Sequence, residues 1–265
     1  MRATATCLSK GFWGRSLDEF KRLSNIALKL EGIKGPSGPL PLQTFHTPDS
    51  LDDCKCFYDR DIGGSSHASL DWIPPLPSER IPAHARFHGR ISNALPANRP
   101  DVQRSGYAAW RTLDKPPTIF GRTLMDIDSY TYLGMRVKSD GRAYFVNVQT
   151  ESIVPTDLHQ HRLFAKRPGE WETVLIKWND FVRTNGGYVV EPQTEMLRQK
   201  VRSIGVSLTD RIPGPFDLSI ERIWATNDLS EVDERDREAE AETREGVREG
   251  QLKDKRGRHI NWNEK

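Results

Sequence analysis

Cysteine is scarce in this chain: Cys7, Cys54 and Cys56 are the three among 265 residues. An odd number without a framework excludes the disulfide-stapled class of small secreted domains. Cys54-Lys-Cys56 is a C-x-C with no second cysteine pair to complete a structural zinc site, so free thiols and no metal are expected. Long apolar runs are also missing. None approaches the ~20 residues that a membrane-spanning helix requires, so a soluble or peripheral protein is expected. Neither charge sign dominates: 39 Lys and Arg against 37 Asp and Glu leave a net charge of +2, which gives no electrostatic footprint for nucleic acid. Internal repeats, a P-loop, a nucleophile elbow and a dinucleotide-binding glycine fingerprint are absent as well, which removes the common signatures of phosphate, acyl-transfer and NAD chemistry.

What is present is a body of short alternating segments. Tyr144-Phe-Val-Asn-Val-Gln-Thr150 alternates at period two and reads as a strand. Tyr144, Val146 and Val148 then share one face, while Phe145, Asn147 and Gln149 share the other, with Glu151 next in line. One face can pack a core; the other is an amide-rich row suited to recognition. Further strands are expected at Ala85 to Ile91, Gly106 to Arg111, Tyr130 to Lys138, Arg142 to Thr150, Trp171 to Trp178, Val201 to Leu208 and Asp217 to Trp224. Turn signals separate them. Ser139-Asp-Gly-Arg142 is the best hairpin candidate, since Asp-Gly suits a type I′ turn. Glu195 to Lys200 reads as a short helix. Many short strands without crossover helices define an all-β antiparallel sandwich or jelly roll.

The ends differ from the body. Residues 1 to 17 hold Arg2, Lys10 and Arg15 and no acid, the composition of a mitochondrial import signal. Ser16 to Leu30 is helical by pattern, with Ser16 and Glu19 as a capping box and Leu17, Phe20, Leu23, Ala27 and Leu30 at helical spacing. This helix can belong to the signal, pack on the body, or lie on a membrane with Lys21, Arg22 and Lys29 toward acidic lipid. Import information is expected before about residue 16, with the helix retained in the mature chain. Residues 33 to 48 read as a Pro- and Gly-rich linker. Beyond Asn227 the sequence mixes both charge signs almost without apolar residues and is expected to be a solvated helix or disordered. The chain thus has three expected parts: residues 1–44 (presequence, helix, linker), a β-sandwich at 45–227, and a charged tail at 228–265.

Three polar constellations bear on chemistry. Asp157, His159 and His161 alternate as two imidazoles and one carboxylate, a metal-ligand combination. No further ligand cluster closes such a site, and Pro155 and Asp157 favour a polar surface loop. Glu151, Asp157, Glu170 and Glu172 are the carboxylates from which a glycosidase pair would be drawn; Glu170 and Glu172 are expected on an outward face. Asp61-Ile-Gly-Gly-Ser-Ser66 reads as a tight turn. Trp110, Trp178 and Trp224 sit among aliphatic residues and are expected in the core, whereas Trp72 is expected near the surface. No catalytic residue is assigned and no cofactor is implied.

Several motifs in order carry a family resemblance: Asp59-Arg-Asp-Ile-Gly-Gly64, Ser105-Gly-Tyr-Ala-Ala-Trp110, Phe120-Gly-Arg-Thr-Leu-Met-Asp126, Tyr144 to Ser152, Thr156-Asp-Leu-His-Gln-His161, Pro168-Gly-Glu-Trp-Glu172, Gln199 to Gly205 and Asp210-Arg-Ile-Pro-Gly-Pro-Phe-Asp217. Across roughly residues 45 to 226 the chain resembles the complex I intermediate-associated protein 30 family. The resemblance implies a galactose-binding-like jelly roll. It further implies a mitochondrial, non-enzymatic assembly factor or chaperone for intermediates of respiratory complex I (NADH:ubiquinone oxidoreductase). Its partners would be subunits and other assembly factors of those intermediates, on the matrix side, with peripheral inner-membrane contact. Strand phase and position make Asn147, Gln149, Glu151, Asp157, His159, His161 and Arg162 the candidate partner contacts. Two alternatives from other classes are a carbohydrate- or small-ligand-binding module and a hydrolase on the same scaffold.

Overall fold

Alternating apolar and polar residues need a sheet with one dry side, and two such sheets can dry each other. The structure, a computed structural model, is built this way. It describes residues 11–28, 38–76, 78, 81–102, 104–152 and 154–230. The readings of residues 1–10, of 29–37 and of the tail beyond 230 lie outside the described residues. The chain divides into a unit Met1–Asn227, which holds the strands, and a second unit Asp228–Lys265.

Among the described residues one α-helix, α1 (Phe12–Leu28), precedes the strands. They are β1 (Leu40–Thr44), β2 (Cys54–Tyr58), β3 (His67–Ile73), β4 (His84–Ile91), β5 (Ala108–Thr112), β6 (Tyr132–Ser139), β7 (Tyr144–Thr150), β8 (Asp157–Arg162), β9 (Trp171–Lys177), β10 (Val182–Asn185), β11 (Tyr188–Val189), β12 (Val201–Leu208) and β13 (Gly214–Thr226). A six-stranded sheet runs β3-β4-β13-β6-β9, with β1 also pairing β13; a seven-stranded sheet runs β11-β10-β8-β7-β12-β5-β2. All the pairings are antiparallel. The chain passes between the sheets repeatedly. The all-β jelly-roll-type sandwich with one helix, expected from the sequence, is the fold observed.

The core lies between the sheets. β7 shows the alternation directly: Tyr144, Val146, Val148 and Thr150 are buried and Phe145, Asn147 and Gln149 only half-buried. Opposite them, Leu133, Met135 and Val137 of β6 and Leu218, Ile220 and Ile223 of β13 are fully buried. Phe45 meets Trp110 edge-on at 5.6 Å, and Phe87 meets Phe216 at 4.9 Å. Each such side chain contributes about 1.5–3 kcal/mol by leaving water. Trp110 and Trp178 are in the core and Trp72 is half-buried, as expected; Trp224 is buried too, but on the outer face of the six-stranded sheet, over Gly134 and beneath the Arg222 guanidinium, because Ile223 and Ala225 take the inward positions of β13.

Several local expectations are corrected. Ser139 to Arg142 joins strands of different sheets and is no hairpin. Gly141 has φ +90° while Asp140 does not take a positive φ, so the turn is not type I′. Instead Asp140 receives the Arg142 and Asp217 backbone N–H groups at 3.0 and 2.8 Å. Asp-Gly specified a tight turn; packing decided which sheet came next. Leu40–Thr44, inside the expected linker, is a strand. Pro41 is tolerated because β1 pairs only with β13 among the described strands. Asp157–Arg162 is a strand paired on both sides, not a loop. Glu172 points inward and is fully buried, accepting the Lys166 and Arg167 backbone N–H groups at 3.0 and 3.2 Å. Between 195 and 200 only a 3-10 turn, Arg198–Lys200, forms. Ser16 does not cap α1, which begins at Phe12. Its hydroxyl donates to the Phe12 carbonyl (2.9 Å) and accepts from the Ile119 backbone N–H (3.1 Å).

Candidate functional site

The outer face of the seven-stranded sheet carries the amide row. In antiparallel register Asn147 lies opposite Gln160 of β8 and Gly205 of β12. The side chains bond to one another across the strands. Thr184 Oγ1 donates to Gln160 Oε1 (2.8 Å), and Gln160 Nε2 donates to Asn147 Oδ1 (2.6 Å). Ser207 Oγ also donates to Asn147 Oδ1, at 3.4 Å. Beside this line, Ser203 Oγ donates to Gln149 Oε1 (3.2 Å) while Gln149 Nε2 donates to the Pro155 carbonyl (2.7 Å). A ladder of hydroxyls and amides thus spans β10, β8, β7 and β12.

The floor of this face is made of small residues. Ser203, Ser207 and Ala109 are nearly inaccessible although they point away from the core. Gly205 is required there: an added Cβ would come within 2.1 Å of the Trp110 carbonyl on β5. Phe145 stands beside Arg162 in register, and the Arg162 guanidinium lies 5.2 Å over the Phe164 ring. Asn147 Oδ1 thus accepts two hydrogen bonds, and the amide carries two N–H donors besides.

Of the seven expected contacts, Asn147, Gln149 and Arg162 lie on this face. Glu151 follows β7, its carboxylate 3.8 Å from Arg122 and 3.9 Å from Lys200. Asp157, His159 and His161 lie on the opposite, inward face, because β8 pairs His159 with Val148 and His161 with Val146. Asp157 is buried and paired with Arg183 at 2.7 and 2.8 Å and with the Asn185 amide at 2.7 Å. The Asn185 hydrogen bond first, then the Arg183 guanidinium, holds its carboxyl below the usual range. Burial pushes the His159 imidazole below its ordinary value, and Arg183 adds to this. His161 packs against the Phe181 ring at 5.6 Å. Among the described residues no group of three or more His, Cys, Asp or Glu is arranged to hold a metal. Gln160, Thr184, Ser203 and Ser207 were missed. Gln160 alternates with His159 and His161, so the signal was present once the segment was read as a strand.

The other polar clusters are structural. Asp59, fully buried, accepts from Ser66 N (2.9 Å), Ser66 Oγ (2.8 Å) and Gly106 N (2.7 Å), which fills the turn read at 61 to 66. Burial, with Asp53 and Asp71 nearby, pushes the Cys54 and Cys56 thiols up to about 12 and about 11, so neither is a ready thiolate. A cleft of about 460 Å³ lies between α1 and the body, lined by Arg15, Glu19, Arg22, Leu42, Met125 and Arg202. A second, of about 400 Å³, lies on the outer face of the six-stranded sheet beside Arg86, Lys138, Trp171 and Asp217.

Fold and face together define a class: a two-sheet β-sandwich with a face of mutually bonded amides and hydroxyls. The Complex I intermediate-associated protein 30 family model matches residues 43–220, and the chain belongs to that family. Complex I intermediate-associated protein 30, mitochondrial, from Neurospora crassa is 60% identical over 248 residues, covering 88% of this chain and 89% of that protein. The protein of the same name from Mus musculus is 28% identical, covering 88% of this chain and 72% of its own length. Among solved structures, a family 11 carbohydrate-binding module from Clostridium thermocellum, in complex with a β-1,3-1,4-mixed-linked tetrasaccharide, matches at 14% identity. Its TM-score is 0.48, over 74% of this chain and 99% of that one.

Proposed function

We propose that this protein is a mitochondrial, non-catalytic assembly factor that holds intermediates of respiratory complex I through the outer face of its seven-stranded sheet. Family membership supports the complex I role, and the relatives' names support the mitochondrial location. Action on the matrix side, free or peripheral to the inner membrane, is part of the same reading. The observation that carries the contact surface is the Thr184–Gln160–Asn147–Ser207 ladder, which fixes Asn147 by its acceptor and Gln160 by both acceptor and donor. Pre-fixed side chains lose little entropy when they bind, and an amide face exchanges water for protein hydrogen bonds at small net gain. An interface of that kind can hold a client and then release it. The contacts are Asn147, Gln149, Gln160 and Arg162, with Phe145 as the apolar anchor. Glu151 extends the face at its end. Asp157, His159 and His161 serve by holding β8 and β10 in place beneath it.

The test replaces Asn147 and Gln149 with Ala in the full chain and measures recovery of complex I subunits by affinity purification from mitochondria. Loss of two hydrogen-bonding groups, about 2 kcal/mol together, should lower recovery roughly tenfold or more with the fold intact. Unchanged recovery from a normally folded variant would remove this face from the reading.

A further inference from the structure

One row on the outer face of the six-stranded sheet is not closed by its own pairs. In register across the strands, Arg86 of β4 lies opposite Ser219 of β13, Ser219 opposite Lys138 of β6, and Lys138 opposite Trp171 of β9. Their chain neighbours Phe87, Leu218, Ile220 and Val137 belong to the core, so the row points outward. Side chains opposed in this way stand about 4.5–5.5 Å apart at Cβ. They line the cleft of about 400 Å³ on this face. Its wall comes from farther away. His84 of β4 and Trp171 of β9 meet edge-on, with ring centroids 5.1 Å apart, although β13 and β6 lie between their strands. Three strand spacings are roughly 14 Å, so the two rings lean toward each other over the strands between them. His84 is 6% exposed and donates its Nδ1 hydrogen to the Pro82 carbonyl at 2.8 Å, which fixes the ring. Ile73 and Ile81 add an apolar side.

The floor holds donors that nothing uses. Ser219 is 7% exposed, yet its hydroxyl has no hydrogen-bond partner among the described residues. A hydroxyl so nearly buried is normally bonded. The Lys138 ammonium beside it has no partner among the described residues either. Arg86 spends Nε and Nη2 on Asp217 and keeps the N–H pair of Nη1. Unspent donors thus converge from three adjacent strands. The acids at the rim are engaged. Asp217 is held by Arg86, and Asp140 accepts the Arg142 and Asp217 backbone N–H groups. Convergent polar groups in a partly apolar cleft of this volume are the ordinary anatomy of a small-molecule site.

From this geometry we infer that the cleft binds a small organic carboxylate carried on a flat apolar body. The carboxylate accepts from the Ser219 hydroxyl and the Lys138 ammonium, with Arg86 Nη1 as the third donor. The body lies against Trp171 and the two isoleucines, where flat apolar surface is already walled from water. A doubly charged head such as a phosphate would bring its second charge toward Asp140 and Asp217, so the single charge is favoured. The inference does not rest on the proposed complex I role, and its test needs no client.

The experiment titrates the isotope-labelled full chain with three probes and follows the indole N–H resonance of Trp171, assigned by its loss in Trp171→Leu. Benzoate carries head and body, acetate the head alone, benzyl alcohol the body alone. Benzoate should shift the resonance saturably and bind about tenfold more tightly than either of the others. Lys138→Gln should weaken benzoate about tenfold and Ser219→Ala about fivefold, at unchanged Tm. Lys55→Gln, an exposed cation on β2 of the other sheet, should leave benzoate binding as it was. The inference is overturned if benzoate gives no saturable shift, or if benzyl alcohol binds as tightly. It is also overturned if acetate matches benzoate, which would mean an adventitious ion only, or if folded Lys138→Gln and Ser219→Ala bind benzoate like wild type.

Discussion

The two outer faces of the sandwich are both polar, and they are polar in different ways. On the six-stranded sheet ionisable groups meet across strands. Arg86 of β4 is bidentate to Asp217 of β13, at 3.0 and 2.5 Å, and His88 of β4 lies 2.6 Å from Asp71 of β3. The His88 hydrogen bond, then Ser69, holds the Asp71 carboxyl low. Further along, the Arg222 guanidinium lies 4.2 Å over the Trp224 ring, and Trp224 itself fills the space over Gly134. On the seven-stranded sheet neutral amides and hydroxyls bond to one another above a floor of Ser, Gly and Ala. The difference matters for binding. Paired charges are already satisfied, and a partner must break them or lie over them at a desolvation cost. Gln149 and Gln160 each spend one of their two amide N–H groups inside the ladder, which leaves one donor on each among the described residues. Outside its cleft the first face closes on itself; the second is left open.

The largest test of this contrast is at the glycines beneath each face. At Gly205 an added Cβ would come within 2.1 Å of backbone, the Trp110 carbonyl; at Gly134 it would come within 2.4 Å of the Trp224 side chain. A backbone cannot step aside as a side chain can. Gly205→Ala should therefore destabilise by roughly 3 kcal/mol or more and Gly134→Ala by about 1–3 kcal/mol, read by chemical denaturation. Equal costs at the two sites would mean that the amide face is as adaptable as the charged one.

A smaller effect is expected from Arg86→Ala or Asp217→Ala. Their side chains are 46% and 42% exposed, so the pair should contribute no more than about 1 kcal/mol. Recovery of complex I subunits should be unchanged by either substitution. Loss of recovery with a stable fold would move the partner surface to the six-stranded sheet and reverse the comparison.

Period two made the sandwich legible, because burying one side of a strand forces alternation. β7 is the clearest case, and its inward and outward residues were read without error. What alternation cannot convey is neighbourhood. The Asp-Gly pair at 140 and 141 suits a hairpin locally, yet β6 pairs with β13 and β9, and β7 with β8 and β12. Prolines hid two strands. Pro41 disguised β1, where an edge position removes the usual penalty, and Pro155 made β8 look like a loop one turn too late. That second misreading put Asp157, His159 and His161 on the working face and left out Gln160. The helix stripe was visible at period 3.6; that Leu17 and Phe20 face outward goes with the contact of Ser16 with Ile119, 103 residues apart, which leaves no local mark.

The smallest expected effect lies under the open face, at His159. Burial and Arg183 depress its pKa in the fold, so the folded state favours neutral imidazole. In the unfolded chain the imidazole takes its proton near pH 6.5. Below that value the unfolded state binds more protons than the folded one, and stability must fall as pH falls. The contribution is complete above about pH 6.5 and is lost on descending through the lower, folded pKa. Asp157, also depressed, acts the same way in a separate window beginning near pH 4. His159→Leu should flatten the Tm profile just below about pH 6.5 and leave the drop below about pH 4 in place. If the wild-type profile is already flat across the upper window, His159 is charged in the fold, and the dry support assigned to the amide ladder is wetter than its burial indicates.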